Sequence, residues 1–599
     1  MIGTTSQQVS RARSNTARIL ALFSVLSLMA HGLFFPQEWL LFGFGLSVYV
    51  LLANSLRIRL LNETSTSFGP TDVLLLGMLF FSILGLIHPV KFKDGCIEAL
   101  RWGILWVVYR LGVRISSDEI AKERLINYVQ WLAMVVAIIG WLPWVHKVGG
   151  RLSSVFGYPN ATAAFLGAVL LLSRRRKLVR IFLVISLFGT GSRAGVGIFL
   201  GVLMGQQILS FVTLPEKFQL KEKIMSLQLR GLGLILLGVA GTALMLLKNR
   251  AVWGNLSAWG FTSASWQERL VYLKDGVSLA WNAGGIPRAG GWMAFPLVQP
   301  FPYWTADPHS SIIHILLNQG IVGIVSVGLW GALILAQVRK TRTKKVMQSI
   351  VLEGVRGTNP DLRVWGALLF LILHSLVDVD FSFGTLGILF WMLYGSIQSR
   401  DKHFLPLFSK ENQWAVNLIR KGTHLVILVI CLVCGSALLN PALFDQERIW
   451  NTQARLGLEH SPTRSIILWN RSLNWDQTQI GTRREQAEFL FKSGNTNAGL
   501  KAVEEVLRWQ SYDLEAYEWA QSVVWEAAEE QRRRSPEIAI MLYLWVVGVP
   551  QKIELRAAAL SSADQSLWKG HQSFLPSQHI KLLTEYARQR QLTLLLPRT

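Results

Sequence analysis

Apolar residues along this chain fall in long blocks, and short polar stretches rich in Lys and Arg separate them. A block of about 20 residues is what a helix needs to cross the ~30 Å hydrocarbon core of a bilayer, so the pattern predicts transmembrane helices. The blocks run at roughly 18–35, 38–56, 71–90, 97–113, 125–146, 159–173, 177–190, 193–212, 231–247, 310–337, 363–379, 382–398 and 422–440. The sixth and seventh are short, and only the cluster SRRRK at Ser173–Lys177 parts them. Consecutive cations belong in water, so two helices are predicted there. Beyond Asn440 the pattern becomes charged and amphipathic, as in WDQTQIGTRREQAEFLFKSGNTNAGLKAVEEVL. The prediction is an all-α protein: a polytopic membrane domain over 1–440 with twelve or thirteen transmembrane helices, and a helical domain over 441–599.

Composition agrees and charge orients the chain. Of 599 residues, 51% are hydrophobic and only 16% charged, against about 25% charged in soluble domains. The net charge of +23 would point to nucleic acid in a soluble protein, but here its distribution follows the positive-inside rule. With the N-terminus inside, the inner loops hold Arg11, Arg13, Arg18, Arg57, Arg59, Arg114, Lys122, Arg124, Arg174–Lys177 and Arg180. They continue with Lys217, Lys221, Lys223, Arg230, Arg339, Lys340, Arg342, Lys344, Lys345, Arg400, Lys402, Lys410, Arg420 and Lys421. The short outer loops hold only Lys91, Lys93, Lys147, Arg151 and Arg193. The partner this implies for the cations is anionic lipid, with no nucleic acid. The run Ile19–Phe35 lacks a small-residue cleavage site and reads as a first span. Cys96, Cys431 and Cys434 lie in or beside apolar spans and are assigned to packing.

This topology delivers a large loop (248–309) and the tail to the outer face. In the tail, Ala487, Gly494, Ala498 and Ala502, followed by Tyr517 and Ala520, fit either a tetratricopeptide-type helix pair or an ordinary helical bundle.

Few ionisable groups face outward, and each needs a reason to be there. Ser192 can cap the helix whose first turn holds Arg193, so free N–H groups and a guanidinium converge on an anion site; a snorkelling arginine is the other reading. Arg151 lies in GGRLSSVFGYPN ahead of Asn160, and Arg269 in the amphipathic segment SASWQERLVYLKDGVSLAW. His309 opens the tenth block. It could serve as a general base, kept neutral by neighbouring arginines, or rest as an interfacial histidine bonded to loop backbone. In a regular helix His314 is turned about 140° from His309, whereas Asn318, at i+4, shares its face. His314 and Asn318 are therefore expected to form a structural polar pair. No phosphate loop or HExxH is found, and chemistry here is expected to need neither metal nor cofactor.

In chain order, FGYPNATAAFL (156–166), GTGSRAGVGIFLGVL (189–203), the arginine of the external loop, GGIPRAGGW (284–292) and HSSIIHILLNQGIVG (309–323) resemble the O-antigen ligase and Wzy-type polymerase superfamily. HSLVDVDFSFGTLGILFW (374–391) is similar to that family's last membrane segments. The resemblance covers roughly 15–400 and implies a GT-C-like membrane fold. It also implies an undecaprenyl-pyrophosphate-linked glycan donor, a glycan or other hydroxyl acceptor, and a site outside a bacterial cytoplasmic membrane. By it His309 would take the acceptor proton, Arg193 and Arg269 would hold the pyrophosphate, and Arg151 and Asn160 would join the substrate-binding set. The chain departs from the family at Ser310, where Asn is usual, and at Asn318, where Glu is common.

An extracytoplasmic glycan polymerase is the leading expectation. An O-antigen-type ligase or protein O-oligosaccharyltransferase uses the same parts, and the tail could dock a protein partner. A lipid-linked sugar transporter predicts charges through the midplane and related halves; here His374, Asp378 and Asp380 sit near one outer helix end.

Overall fold

The structure is a computed structural model that describes residues 2–55, 68–173, 177–212, 264–303, 307–340, 360–398 and 413–595. The block expected at 231–247 lies outside the described residues. Among these residues regular structure is helical, with isolated β-bridges at Lys91–Asp476 and Val148–Arg151. The chain divides into two compact units, one of Met1–Leu84, Cys96–Ser263 and Asp307–Pro441, the other of Gly85–Gly95, Ala264–Ala306 and Ala442–Thr599. Each is described by itself.

The first unit contains helices α1 (Ile2–Met29), α2 (Pro36–Ser55), α3 (Pro70–Leu84), most of α4 (Phe92–Ile115), α5 (Glu119–Trp141), α6 (Pro159–Leu172), α7 (Lys177–Gly189) and α8 (Arg193–Val212). Further along the chain come α10 (Ser311–Lys340), α11 (Pro360–Ser375), α12 (Gly384–Ser396) and α13 (Gln413–Leu439); α9 (Ala264–Asn282) belongs to the second unit. Among the described residues, six segments are long and apolar enough to cross a membrane: Pro36–Ser55, Pro70–Ile87, Glu119–Trp141, Ser311–Leu335, Val416–Leu439 and Pro536–Ala558. Large apolar residues lie exposed along them, for example Leu41 at 62%, Leu329 at 62% and Leu432 at 59%. In water such a surface would aggregate; in lipid it is matched.

The sixth of these segments differs from the rest. Pro536–Ala558 breaks at Gly548 into helices of 12 and 10 residues, about 18 and 15 Å long. Neither half spans ~30 Å of hydrocarbon. Its inner face (Leu542, Tyr543, Val546, Val549, Ile553) instead fills the core of the second unit.

At 14 and 13 residues, α6 and α12 are also too short to span alone, and both are buried along their whole length. A helix apolar all round is a core element. α6 packs among α5, α7, α8 and α11, and α12 against α1 and α11. Small residues permit the closest crossing: a Cβ on Gly112 of α4 would stand 2.6 Å from the Met392 carbonyl oxygen of α12, and one on Gly395 2.5 Å from that of Tyr109. α4 carries too many charges to resemble a simple span, yet its Arg110 is neutralised inside the unit. Arg110 donates to buried Asp72 at 3.3 Å, and Trp106 Nε1 donates to the same carboxylate at 2.9 Å. Lys122, counted above as an inner-loop cation for lipid, is buried and paired with Asp361 at 2.8 Å.

The tail of the second unit is α14 (Gln446–Leu456), α15 (Pro462–Trp475), α16 (Ile480–Lys492), α17 (Thr496–Trp509), α18 (Leu514–Arg534), α19 (Pro536–Val547), α20 (Val549–Ala558), α21 (Ser562–Leu567) and α22 (Gln578–Leu595). α16 ends at Gly494 in the left-handed conformation (φ +79), and Asn495 then caps α17 through Ala498 N–H. Ala487, Tyr517 and Ala520 are core residues of this helical unit. Buried Gln521 donates to Val546 O, Ile580 O and Thr584 Oγ1, tying α18 to α19 and α22.

Candidate active site

The segment SSVFGYPN builds one wall of the site. Gly157 turns the chain with φ +64, Tyr158 is extended ahead of Pro159, and Pro159 starts α6 at its first turn. Asn160 is thereby set at the head of α6 with all its polar atoms engaged. Its Oδ1 accepts from Arg151 Nη2 at 2.8 Å, and its Nδ2 donates to Asp378 Oδ2 at 2.6 Å and to the Tyr158 hydroxyl at 3.0 Å. Tyr158 OH in turn donates to Asp378 Oδ1 at 2.9 Å, as does the Val379 N–H at 2.9 Å. Phe383 stacks on the Tyr158 ring at 5.9 Å with an interplanar angle of 5°. Asp378 is fully buried. A charge without solvent persists only where hydrogen bonds replace hydration, and these donors supply them.

His309 meets this carboxylate. Its Nδ1 stands 3.9 Å from Asp378 Oδ1, beyond hydrogen-bond length, and its side chain keeps 25% of its surface exposed. His309 has φ +53, the left-handed region that costs a non-glycine residue energy and that recurs at functional sites. The flanking residues hold it there. Asp307 accepts from Ser382 Oγ and is hydrogen-bonded to His314 Nδ1 at 2.9 Å. The other ring nitrogen of His314 lies 3.5 Å from Glu98 Oε2. Glu98 also accepts from Arg101 at 3.0 Å, Trp102 Nε1 at 2.8 Å and Gln319 Nε2 at 3.2 Å. Arg101 reaches on to the Phe381 carbonyl.

This corrects the expected His314–Asn318 pair. Asn318 Nδ2 donates to the His314 backbone carbonyl at 3.1 Å, while the imidazole itself serves Asp307 and Glu98. Residues at i and i+4 share a helix face, but two buried carboxylates from elsewhere in the chain compete for the ring more strongly than a neutral amide does. Downstream, the helix kinks at Gly320 (φ 69, ψ −168).

Arg151 and the Arg193 turn adjoin the same wall. Arg151 Nε donates to Thr190 O at 2.8 Å, and its guanidinium covers Gly191, which sits at φ +59 with Arg151 Nε 3.2 Å from where a Cβ would be. Ser192 Oγ accepts from Gly195 N–H at 3.2 Å, so Ser192 caps α8 as its sequence suggested, with partly exposed Arg193 in the first turn. The structure thus gathers Arg151, Asn160, Asp378, Tyr158 and His309 directly, with Arg193 two residues beyond the Gly191 turn. Arg269 belongs to the second unit, partly buried on α9. His374 and Asp380 form a separate fully buried pair at 2.6 Å.

Sequence reasoning passed over Asp378, Tyr158, Asp307 and Glu98. A signal existed for Asp378: two acids between apolar helices in HSLVDVDFSFGTLGILFW are costly unless used. Compared with known proteins, the chain matches no family model and no curated protein.

Proposed function

We propose that this chain is a membrane-embedded glycosyltransferase that polymerises undecaprenyl-pyrophosphate-linked oligosaccharides outside a bacterial cytoplasmic membrane. The observation that carries the reading is His309, partly exposed and conformationally strained, with Nδ1 against the buried, multiply bonded carboxylate of Asp378. A carboxylate behind one ring nitrogen orients an imidazole so that the other nitrogen can take a proton. The distance of 3.9 Å shortens to a hydrogen bond once substrate is bound, as apo catalytic contacts commonly do.

In the reaction the acceptor hydroxyl oxygen attacks the anomeric carbon of the donor sugar, and its proton passes to His309. The anomeric C–O bond to pyrophosphate breaks, and the bonding pair leaves on undecaprenyl pyrophosphate. Arg193 at the head of α8 stabilises the negative charge that builds on that leaving group, together with the helix N–H groups. Arg269 is assigned the same role by motif resemblance, and Arg151 extends the cationic wall. Asn160, with its amide fully engaged, holds Arg151 and Asp378 in place. The fold class in this reading is GT-C-like, with a tetratricopeptide-like tail that presents acceptors or partners.

The test is transfer by purified, reconstituted protein supplied with lipid-linked repeat units, with and without added acceptors. His309→Ala should insert and fold yet transfer nothing; transfer at the wild-type rate removes the base from the scheme. Arg193→Lys, which exchanges a bidentate fork for a point charge, should weaken donor binding, and unchanged affinity would return Arg193 to anchoring its helix. A product ladder without added acceptor identifies a polymerase. A single adduct identifies instead a ligase or a protein O-oligosaccharyltransferase, and movement of intact donor across the bilayer a transporter.

A further inference from the structure

Helix α9 is built inside out for a helix in water. Its inward face carries Tyr272, Asp275 and Leu279, all buried, and Asp275 Oδ2 accepts from the Tyr303 hydroxyl at 2.6 Å. Its outward face carries Leu270 (48% exposed), Leu273 (45%), Val277 (49%) and Trp281 (84%). At 100° per residue these four lie within about 80° of one another, a continuous apolar stripe. Lys274 is exposed at the edge of the stripe. An acid turned in and Leu, Val and Trp turned out is the reverse of the arrangement water selects.

The second unit also shows what the stripe is tied to. α9 ends at a left-handed Gly284–Gly285 turn (φ +69 and +66), and the chain then bonds to the segment Gly85–Gly95. Ala289 N–H donates to Gly85 O at 3.0 Å, while Val90 and Lys91 N–H donate to Ala289 O at 2.9 and 3.1 Å. The packing leaves no slack: a Cβ on Gly95 would stand 2.1 Å from the Ala289 Cβ. Gly85–Gly95 is the turn between α3, part of a membrane-length segment, and α4. The turn that closes a membrane-length segment lies at a bilayer surface, so α9 is tethered there within its own unit. Ile87 on that turn (66% exposed) and Ile286 after α9 (49%) extend the apolar surface.

We propose that α9 lies in the bilayer interface, its Leu270–Leu273–Val277–Trp281 stripe sunk at the boundary of headgroups and acyl chains. Interfacial helices have this form: an apolar stripe, a tryptophan at headgroup level and a flanking lysine that snorkels to lipid phosphate. The inference rests on the membrane assignment alone and stands whether or not the transfer reaction does.

The experiment uses the full chain with Cys96, Cys431 and Cys434 replaced by Ala, reconstituted in phosphatidylethanolamine–phosphatidylglycerol vesicles. Single spin labels are placed at Leu273→Cys and Val277→Cys on the stripe and at Asn282→Cys on the exposed polar side. Their collision rates with oxygen, which concentrates in lipid, and with a water-soluble nickel chelate are compared. The stripe labels should favour oxygen several-fold and the Asn282→Cys label should favour nickel. Nickel-dominated collisions at the stripe would place it in water and overturn the proposal. Low access to both reagents would overturn it in favour of a protein cover, a second copy or another partner. All three positions are exposed, so labelling spares the core, and unchanged helicity by circular dichroism checks this for each variant.

Discussion

Asp378 is the residue on which the candidate active site stands or falls. It accepts three hydrogen bonds, from Asn160 Nδ2 at 2.6 Å, Tyr158 OH at 2.9 Å and Val379 N–H at 2.9 Å, in a position closed to solvent. Truncation to Ala would strand three buried donors. Breaking a buried charged network in this way costs about 3–5 kcal/mol, a large part of the ~5–15 kcal/mol that holds a domain folded. Asp378→Ala is therefore expected to fold poorly and would say little about chemistry. Asp378→Asn is the informative variant. It keeps one acceptor oxygen and turns an NH₂ toward a donor, a loss of about 2 kcal/mol that leaves the fold intact. It also removes the charge facing His309, so the transfer rate should fall on the order of 10²-fold, at the lower end of general-base effects. Stability is read by denaturant titration in micelles and activity by the ladder assay. A Tyr158→Phe partner closes a double-mutant cycle, in which coupling of about 1–2 kcal/mol is expected for groups that share one carboxylate. Asp378→Asn with unchanged stability would refute the hydrogen-bond account. A stability loss with a wild-type rate would refute the orienting role and leave Asp378 purely structural.

Gly112→Ala places a methyl group 2.6 Å from the Met392 carbonyl oxygen and should destabilise the protein by about 1–3 kcal/mol. Gly45→Ala, with nothing near its Cβ position, should be neutral or slightly stabilising in the same thermal-unfolding measurement. Burial pushes the Asp275 carboxyl from its ordinary 3.8 up to about 6. Between these values the folded chain holds a proton that the unfolded chain has released, so stability falls as pH rises from about 4 to about 6. Asp275→Asn, which can still accept from Tyr303, should abolish that part of the pH dependence in unfolding scans.

The architecture was largely legible because it follows from local rules. Apolar runs specify helices wherever water is excluded, and the predicted blocks correspond to described helices except the one at 231–247. GYPN announced a helix start and GSRAG a capped one, since proline and serine act within one turn of themselves. Motif order brought His309, Arg193, Arg269, Arg151 and Asn160 forward together; Arg151 is hydrogen-bonded to Asn160, both in the unit that holds His309, and Arg269 belongs to the second unit.

What the sequence could not decide is who meets whom across hundreds of residues. His314 was matched to Asn318 by helical spacing, but its partners are Asp307, held by a tight turn, and Glu98, from a helix more than two hundred positions earlier. Asp378 read as an acid near a helix end; only the packing of α6 against α11 puts it between Tyr158, Asn160 and His309. Pro536–Ala558 has the composition of a span, yet a break at Gly548 and a waiting core make it part of a helical bundle. Local propensity and apolar periodicity act over a few residues and are written in the chain. Electrostatic pairing in a buried site depends on which distant groups arrive within a few ångströms, and tertiary packing alone settles that.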